Sequence, residues 1–450
     1  MELKGKKVLL VGLAKTGIST IKCLAKYGAD ITVNDIKTED KLEEIISEIK
    51  DIDGIKYILG HHPEDISDID MVVVSPGVPL DLPFIKKIIN NNKELIGEVE
   101  LAYRLSKKPY FVGITGTNGK TTTTSLTGEI FKKANKETYI VGNIGNPVID
   151  AVQCANEKAC FITELSSFQL ESIVDFKPNV SAVLNITEDH MNRHHTMENY
   201  IDAKSRVFMN QDKTDFCVLN YDDEITRNLA EKCNANVVFF SRKEMLKKGV
   251  YLEEGNIIIN IDKKINLMKV EELSLPGGHN LENCMAAIAM SYVSGIDISV
   301  IKEVLKTFKA VEHRLEFVKE INGIKYVNDS KGTNPDSTIK AVQAYENPII
   351  LIAGGYDKGS DYNELLEIAK KNVKTIVLMG ETSDKIEKTA KNHGILDIHK
   401  VENMKEAVLT CSKLAKEGDV VLLSPACASW GMYNNFEERG KDFKDNVNNL

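Results

Sequence analysis

The sequence lacks several features that would place it in whole classes of protein. No apolar run in its 450 residues approaches the roughly 18–20 residues that a membrane helix needs. Its eight cysteines include no C-x-x-C pair, so neither a zinc pattern nor a disulfide framework is indicated. We therefore expect reduced thiols in a cytoplasmic protein that does not insert into a membrane.

An excess of positive charge is also absent. The chain has 57 Lys and Arg residues against 66 Asp and Glu residues, which gives a formal net charge of −9. Because a general nucleic-acid-binding protein usually has a basic face, we expect no nucleic-acid partner. The acidic total does not exclude a local basic pocket for phosphates. The hydrophobic fraction of 42% is ordinary for a globular protein, and the length predicts two to four domains.

Short apolar runs alternate with amphipathic stretches along the chain, which predicts an α/β fold with mostly parallel sheets. The run Val8–Val11 ends at Gly12 and is too short for a signal peptide, so we assign it to the first strand. Helices are predicted over 18–26, 122–133 and 281–293. The predicted strands fall into three segments: Lys7–Val11, Asp30–Asn34 and Met71–Val74; then Phe111–Ile114, Ala159–Thr163, Val180–Asn185, Phe216–Leu219 and Val237–Phe239; then Lys325–Asn328, Ile349–Ala353, Thr375–Leu378 and Asp419–Leu423. Ligands bind such sheets where the strands end, so we expect sites in the turns that follow.

A glycine-rich segment between a predicted strand and a predicted helix is the strongest local signal. It reads Gly113-Ile114-Thr115-Gly116-Thr117-Asn118-Gly119-Lys120-Thr121-Thr122. In such a loop, backbone N–H groups reach phosphate oxygens, a lysine adds positive charge and a hydroxyl suits Mg²⁺. Ile114 stands where the strict template has its first glycine. We predict an ATP or GTP site, with a tight strand–helix turn as the alternative.

A second glycine turn lies near the N-terminus, where Gly12-Leu13-Ala14-Lys15-Thr16-Gly17 resembles a dinucleotide fingerprint. Ala14 replaces the central glycine that lets a pyrophosphate approach the backbone. Asp35 comes directly after the next predicted strand, where a dinucleotide-binding protein holds a ribose hydroxyl. These features favour a nucleotide or diphosphate ligand over a bound NAD, while a turn that only packs a helix stays open.

Three further segments carry metal-ligating or acid–base side chains. Glu164 ends a predicted strand near the phosphate loop, where a carboxylate is a natural Mg²⁺ ligand, and a surface acid is the alternative. The segment Asn185-Ile186-Thr187-Glu188-Asp189-His190-Met191-Asn192-Arg193-His194-His195 suggests a metal or acid–base site, and His190 is favoured because it lies nearest the strand end. By its chemistry alone, Lys204 in a helical stretch is expected to be a solvated surface lysine.

Together these segments resemble the Mur ligase family of ATP-dependent amide-forming enzymes. The matching motifs are Thr115–Thr122, Gly142-Asn143-Ile144-Gly145, Glu164 with Ser166–Leu170, Thr187–His190, Gly278-His279-Asn280 with Asn283, and His313-Arg314. They occur in family order over essentially the whole chain. The resemblance implies a Rossmann-like substrate domain at 1–98, a P-loop ATPase-like central domain at 99–310 and a Rossmann-like amino-acid-binding domain at 311–450.

The third segment resembles the branch of the family that adds D-glutamate to UDP-N-acetylmuramoyl-L-alanine. Its motifs are Asp329-Ser330-Lys331-Gly332-Thr333-Asn334, Ser424-Pro425-Ala426-Cys427-Ala428-Ser429 and Asn435-Phe436-Glu437-Glu438-Arg439-Gly440. The resemblance implies an acyl-phosphate intermediate, two Mg²⁺ ions and a CO₂-derived carbamate on Lys204. It also implies a monomer that works in cytoplasmic peptidoglycan precursor synthesis.

The resemblance further assigns residues to each ligand. The implied catalytic residues are Lys120, His190, Lys204 and Arg314. The implied ATP site consists of Gly116, Thr117, Asn118, Gly119, Lys120, Thr121, Thr122, Asn280, Asn283, Arg314 and Asp329. The UDP substrate is assigned to Lys15, Thr16, Asp35, Lys37, Gly77, Asn143, Gln169 and His190. D-Glutamate is assigned to Lys331, Thr333, Lys358, Ser429 and Phe436, and the metals to Thr121, Glu164, His190 and Lys204.

Two positions depart from the family pattern near the amino-acid site: Gly332 stands where alanine is usual, and Gly431 where an acidic residue is common. Three other functions are alternatives to this interpretation. The folylpolyglutamate synthase branch shares the central and third domains but lacks an N-terminal UDP-binding domain of this kind. A non-catalytic nucleotide-binding scaffold would not need polar residues at strand ends in three domains. A dehydrogenase is disfavoured by the missing second glycine and by the phosphate loop.

Overall fold

The computed structural model describes residues 1–275, 277–309 and 312–450, and it leaves the side chain of Lys15 undescribed. The predicted boundary between residues 310 and 311 lies outside the described residues. The chain divides into one unit of Met1–Glu272 with Glu282–Lys306 and a second unit of Leu273–Leu281 with Thr307–Leu450. Among the described residues, no helix is both long enough and apolar enough to cross a membrane.

The first unit begins with a five-stranded, wholly parallel sheet of order β3-β2-β1-β4-β5. Its strands are β1 (Lys7–Val11), β2 (Asp30–Asp35), β3 (Lys56–Leu59), β4 (Met71–Val74) and β5 (Glu94–Gly97), and its helices are α1 (Lys15–Lys26), α2 (Glu43–Ser47), α3 (Pro83–Asn90) and α4 (Glu98–Leu105). The central strands β1 and β4 are continuous apolar runs because both faces of a parallel sheet are covered. The strand order reverses between β1 and β4, and ligands of such sheets bind at this point.

The turns that follow β1 and β4 pack directly against each other. Gly12 has φ +90°, and a Cβ at this position would lie 2.7 Å from Cγ2 of Val78. The Ser75 hydroxyl donates to the Gly12 carbonyl at 2.5 Å, and the Val78 amide closes the second turn by donating to the Ser75 carbonyl. The N-terminal glycine is therefore required by the backbone conformation and by this close contact.

Helix α4 connects the first sheet to the second, and two buried carboxylates fix it there. Glu98 accepts a hydrogen bond of 2.6 Å from the amide of Ile149. Glu100 accepts hydrogen bonds from the side chain of Arg104 and from three consecutive amides, those of Val174, Asp175 and Phe176. The two sheets of this unit are thus joined through a packed helix.

The second sheet has nine strands in the order β14-β13-β12-β11-β10-β9-β6-β8-β7. In this spatial order, the seven strands from β12 across to β7, which include β6, run parallel. At the other edge, β13 and β14 are each antiparallel to the strand before them. The strands are β6 (Tyr110–Thr115), β7 (Thr138–Gly142), β8 (Cys160–Glu164), β9 (Val180–Val183), β10 (Phe216–Asn220), β11 (Asn236–Ser241), β12 (Gly249–Glu253), β13 (Asn256–Asn260) and β14 (Lys264–Lys269). The helices are α5 (Lys120–Lys133), α6 (Val148–Val152), α7 (Ser167–Leu170), α8 (Met191–His194), α9 (Met197–Ser205), α10 (Glu224–Asn228), α11 (Gly278–Val293) and α12 (Ile298–Thr307).

The second unit contains a six-stranded sheet of order β15-β16-β20-β17-β18-β19, parallel except for the β15–β16 hairpin. Its strands are β15 (Glu316–Ile321), β16 (Ile324–Asn328), β17 (Ile349–Ala353), β18 (Val373–Leu378), β19 (Ile398–Lys400) and β20 (Val420–Leu423). Its helices are α13 (Pro335–Gln343), α14 (Asn363–Ala369), α15 (Ser383–Asn392), α16 (Met404–Leu414) and α17 (Phe436–Asn448). The predicted α/β class with mostly parallel sheets is confirmed.

Candidate active site

The phosphate loop connects β6 to the start of α5 and depends on two glycines with positive φ. Gly116 has φ +153° and Gly119 has φ +82°. A Cβ at Gly119 would lie 2.2 Å from Oδ1 of Asn283, a residue predicted to contact the nucleotide. Glycine at this position therefore allows the loop to approach Asn283 closely.

A residue without a predicted role, Asn185, holds the phosphate loop in place. Its carbonyl accepts from the Thr117 amide at 2.9 Å, and its Oδ1 accepts from the Asn118 amide at 2.8 Å. Its Nδ2 in turn donates to the Asn118 carbonyl at 3.1 Å. The Thr187 amide adds a hydrogen bond of 3.0 Å to Oγ1 of Thr117. The position of Asn185 just after the buried strand β9, beside the loop, is the sequence signal that could have identified it.

Two lysine amines converge on the same carbonyl oxygen of this loop. Lys120 donates from Nζ to the carbonyls of Gly116 and Thr117, each at 2.8 Å. Lys204 donates from Nζ to the Gly116 carbonyl, also at 2.8 Å. Both ammonium groups were predicted to serve the active site, and the structure brings them together at the phosphate loop.

Lys204 is buried, so the expectation of a solvated surface lysine is wrong. Its exposed fraction is 1%, and its Nζ lies 4.6 Å from the ring centroid of Tyr200. Burial, followed by repulsion from Lys120, lowers the pKa of Lys204 well below its ordinary value. Attraction to Asp189 and Glu164 opposes this decrease in pKa but is the smaller effect. A lysine in such surroundings is pushed towards its neutral, nucleophilic form.

Glu164 ends β8 at the same edge of the sheet, opposite Ile114 on β6 and Gly142 on β7. Its Oε1 accepts from Nδ2 of Asn143 at 2.7 Å, and the turn that carries Asn143 also binds the Glu164 carbonyl. Its Oε2 is buried and has no hydrogen-bond partner among the described residues. A buried carboxylate oxygen without a hydrogen-bond partner is suited to binding a divalent cation, because Mg²⁺ prefers hard oxygen ligands.

The three histidines of the segment after β9 have different surroundings. His190 lies just before α8 with φ +57°, and its side chain is 38% exposed and packs edge-on against Phe168 at 4.8 Å between ring centroids. His194 is buried against Ser167, and burial, followed by the charge of Arg193, lowers its pKa to about 4. His195 is exposed and pairs with Asp81 at 3.0 Å. Of the three, His190 combines access to solvent with a position nearest the strand end.

The N-terminal residues predicted for the UDP substrate surround the turns at the end of β1 and β4. Asp35 accepts from the amides of Leu13 and Lys37, both at 2.8 Å, so its carboxylate organises the glycine turn. Thr16 is half-buried and Lys37 and Gly77 are exposed, whereas the side chain of Lys15 lies outside the described residues. Gln169 is buried, and its Oε1 is engaged in a capping box with Ser166.

In the second unit, the residues predicted for D-glutamate follow three neighbouring strands at one edge. Lys331 and Thr333 follow β16, Lys358 follows β17, Ser429 follows β20, and Phe436 begins α17. The amine of Lys331 lies 5.1 Å from the ring centroid of Phe436. The structure therefore places these side chains, which were predicted from separate motifs, at the ends of adjacent strands.

Asp329 and Arg314 lie at the base of this edge. Asp329 is fully buried, accepts from Ser424 Oγ at 2.7 Å and from the Leu315 amide at 3.2 Å, and burial raises its pKa to about 6. The charge of Arg314 opposes that increase. Nε of Arg314 is buried without a hydrogen-bond partner among the described residues.

The sequence motif around Phe436 contains a residue without a predicted role, Arg439, which is almost completely buried. Its guanidinium donates to the carbonyl of Ser330 at 2.8 Å and to the carbonyl of Cys427 at 3.2 Å. Burial lowers its pKa to about 10. Arg439 thus links the turn after β16 to the turn after β20. It thereby supports the edge of the sheet that carries the residues predicted to bind D-glutamate.

Family models match most of the chain in three consecutive parts. Residues 6–97 match a Mur ligase MurD-like N-terminal domain, residues 114–291 match the Mur ligase middle domain, and residues 313–427 match the Mur ligase, glutamate ligase domain.

Curated proteins similar to the chain agree with these matches. UDP-N-acetylmuramoylalanine–D-glutamate ligase of Clostridioides difficile is 68% identical over 450 residues, which is all of both chains. The protein of the same name from Alkaliphilus oremlandii is 51% identical over 454 aligned positions, again with full coverage of both. Among solved structures, a MurF ligase from Thermotoga maritima in complex with ADP is similar in fold, with a TM-score of 0.61 at 16% identity, covering 100% of this chain and 96% of that one.

Proposed function

Because the chain belongs to the Mur ligase family, we propose that it adds D-glutamate to UDP-N-acetylmuramoyl-L-alanine with the use of ATP, in peptidoglycan precursor synthesis. The observation that carries this function is the 68% identity over all 450 residues to a ligase of that name. The match of residues 6–97 to a MurD-like N-terminal domain argues against the folylpolyglutamate synthase branch, which lacks a UDP-binding domain of this kind.

The reaction joins a carboxylate to an amine in two steps. The γ-phosphoryl group of ATP passes to the alanine carboxylate, which gives an acyl phosphate and ADP. The amino group of D-glutamate then attacks the acyl carbon, the nitrogen loses a proton, and the C–O bond to phosphate breaks. The main demands are the positioning of three substrates and the neutralisation of negative charge on phosphate and carboxylate oxygens.

The phosphate loop supplies the chain's own contribution to that neutralisation. We assign the triphosphate to the amides of 116–119 and the amine of Lys120, with Thr122 at the start of α5, where the N-terminal end of a helix favours anions. Asn280 and Asn283 are assigned to the nucleotide base. Arg314, whose buried Nε has no partner in the described part of the chain, is assigned to the ATP phosphates together with Asp329.

We assign one Mg²⁺ to Thr121 and Glu164, and a second to His190 and a carbamate formed from CO₂ on Lys204. The support is the buried Oε2 of Glu164, which has no hydrogen-bond partner among the described residues, and the burial of the Lys204 amine beside the phosphate loop. Bound Mg²⁺ would supply positive charge to phosphate and carboxylate oxygens. The neutral amine of a buried lysine is the form that adds to CO₂.

The remaining assignments concern the two organic substrates. Lys15, Thr16, Asp35, Lys37 and Gly77 would hold the UDP part, because they surround the point where the first sheet reverses its strand order. Asn143, Gln169 and His190 would contact the same substrate nearer the reaction centre. Lys331, Thr333, Lys358, Ser429 and Phe436 would hold D-glutamate, whose two carboxylates suit ammonium and hydroxyl groups. Action as a monomer in the cytoplasm stays a prediction.

The test is ADP release from the purified protein with ATP, Mg²⁺ and UDP-N-acetylmuramoyl-L-alanine. The amino acids compared are D-Glu, L-Glu, L-Lys and diaminopimelate, and we expect turnover with D-Glu alone. Activity only with another amino acid would overturn the specificity, and turnover with a folate but not with the UDP-sugar would reverse the choice of branch. ATP binding without substrate-dependent ADP release would support a non-catalytic scaffold.

A further inference from the structure

Arg193 connects the two sheets of the first unit through its guanidinium. Its NH2 donates to the carbonyl of Val78, in the turn after β4, at 2.9 Å. The same nitrogen forms an ion pair of 2.6 Å with Glu171, in the segment after α7. The side chain is only 9% exposed, so these contacts are largely shielded from water. A charged hydrogen bond shielded in this way contributes more than an exposed ion pair.

On one side, Arg193 reaches the turns that we assign to the UDP end of the substrate. Val78 follows Gly77 and closes its turn by donating to Ser75, whose hydroxyl binds the Gly12 carbonyl. The Val78 side chain fills the space beside Gly12. The carbonyl that Arg193 holds is therefore part of a turn packed directly against the N-terminal glycine turn.

On the other side, Arg193 lies close to His190, which we assign to a metal ion and to the substrate near the reaction centre. Its Cζ lies 5.0 Å from the ring centroid of Phe168, and that ring packs edge-on against His190. Arg193 also lies in α8, which begins immediately after His190, and its amide donates to the His190 carbonyl at 2.9 Å. Glu171, the ion-pair partner, lies 3.4 Å from Nδ1 of the buried His194.

We propose that Arg193 is a positioning residue that fixes the distance between the UDP-binding turns and His190. The two ends of one substrate are assigned to these two places, so this distance decides whether both ends can be held at once. The inference rests on the proposed function, because that function supplies a substrate with a UDP end and a reacting carboxylate. Arg193 itself is not assigned to any bound group.

The test compares ligands that span this distance with a ligand that does not. Calorimetry would measure the binding of UDP and of UDP-N-acetylmuramoyl-L-alanine to the wild-type protein and to Arg193→Gln and Arg193→Lys. We assign UDP to the N-terminal turns alone, so its affinity is expected to stay within about twofold of wild type. The full substrate is expected to bind about tenfold or more weakly to Arg193→Gln, because the charged hydrogen bonds to Val78 and Glu171 are lost. Arg193→Lys should recover part of that loss.

Steady-state kinetics provide a second readout that a purely structural role would not change. The KM for UDP-N-acetylmuramoyl-L-alanine should increase in Arg193→Gln, while the KM values for ATP and D-glutamate stay near wild type. Arg206→Gln is the matched control, because Arg206 also donates to two backbone carbonyls, those of Leu170 and Ile173, but both lie on the central side. Arg206→Gln should lower Tm, but it should not weaken the binding of UDP-N-acetylmuramoyl-L-alanine relative to the binding of UDP.

Equal weakening of UDP and of the full substrate would overturn the proposal, as would unchanged binding of both by Arg193→Gln. Selective weakening of the full substrate in Arg206→Gln, at an equal loss of Tm, would also overturn the proposal. General destabilisation of the protein would then explain the result. Failure of the wild-type protein to bind or turn over UDP-N-acetylmuramoyl-L-alanine would instead contradict the proposed function, so the two failures are distinguishable.

Discussion

The amine of Lys204 donates a hydrogen bond of 2.8 Å to the carbonyl oxygen of Gly116. Lys204 lies on α9 and Gly116 in the phosphate loop, so the contact joins residues 88 positions apart in sequence. The amine is buried, so a charged ammonium group at this position has a large desolvation free energy, which attraction to Asp189 and Glu164 offsets only in part.

This contact leads to a rescue experiment on Lys204→Ala. We expect the variant to lose turnover, because alanine cannot form the carbamate that would bind the second Mg²⁺. Short carboxylates added to the assay should restore part of the rate. Lys120→Ala is the control: it should retain less than about a tenth of the rate and show no rescue, since a carboxylate cannot replace a cation. Failure of rescue in a normally folded Lys204→Ala protein would contradict the carbamate.

The second prediction concerns the dependence of stability on pH through Glu98. Burial, reinforced by repulsion from Asp150, raises the pKa of Glu98 to about 7 from an ordinary 4.5. Between these values the folded state binds more protons than the unfolded state, so stability is lost as pH rises through this window. A shift of this size corresponds to about 3 kcal/mol at alkaline pH.

Glu98→Gln should remove this dependence, because an amide can still accept from the Ile149 amide and cannot ionise. Urea unfolding at pH 5 and pH 8 would measure it, with the exposed Glu129→Gln as the control. We expect the wild-type protein and Glu129→Gln to lose more stability between these pH values than Glu98→Gln. An equal loss in all three proteins would contradict the raised pKa.

Gly332 gives the third prediction, because its departure from the family pattern has a steric basis. A Cβ at this position would lie 2.5 Å from Oδ2 of Asp329 and 2.7 Å from Oγ of Ser424, both on buried residues. Gly332→Ala should therefore disturb the Asp329–Ser424 hydrogen bond and cost about 1–3 kcal/mol, as overpacking does.

The comparison variant is Gly431→Ala, the second departure. Gly431 has φ +84° and open space around its Cα, so alanine there meets only the backbone penalty of about 1–2 kcal/mol. Thermal unfolding and the KM for D-glutamate would be measured for both variants. We expect the KM to increase in Gly332→Ala, and a wild-type KM in that variant would show that the Asp329 edge tolerates the extra methyl group.

The fourth prediction uses the single tryptophan of the chain, Trp430, as a reporter. It is 55% exposed, follows Ser429 directly and packs edge-on against Tyr356 at 5.4 Å between ring centroids. Binding of D-glutamate beside Ser429 should change its fluorescence when the UDP substrate and a non-hydrolysable ATP analogue are present. L-Glutamate should leave the emission unchanged, and an equal response to both enantiomers would argue against this position of the site.

The sequence predicted the buried parallel strands well because their apolar runs are continuous. The bounds of β1 and β17 were predicted correctly, and helix α5 begins two residues earlier than predicted. The strands β12, β13 and β14, the hairpin strand β15, and the short strands β3, β5, β7 and β19 were missed. Most of them have partly exposed side chains, whereas β12 and β13 are largely buried. All of them form by pairing with neighbouring strands, which the local sequence pattern does not encode.

The site was predictable to the extent that its residues follow strands. Glu164 and His190 could be proposed from that position alone. Lys204 could not, because its helix has little amphipathic character and its burial results from contacts with Tyr200 and a distant loop. Asn185 and Arg439 were not assigned roles because each acts by binding backbone groups, which a residue type does not reveal. For Asn185, only its position after a buried strand was a usable signal.

Helix α4 limits how this chain could be recombined with others. Its two buried carboxylates are acceptors for amides that belong to the second sheet, at Ile149 and at 174–176. A fragment that ends after α4, at residue 105, would separate both carboxylates from these amides, and a cut between residues 98 and 100 would separate Glu98 from Glu100. An N-terminal sheet transplanted from a relative together with its α4 would therefore need both carboxylates and matching amide donors in the second sheet, so the first two sheets would have to be exchanged as a pair.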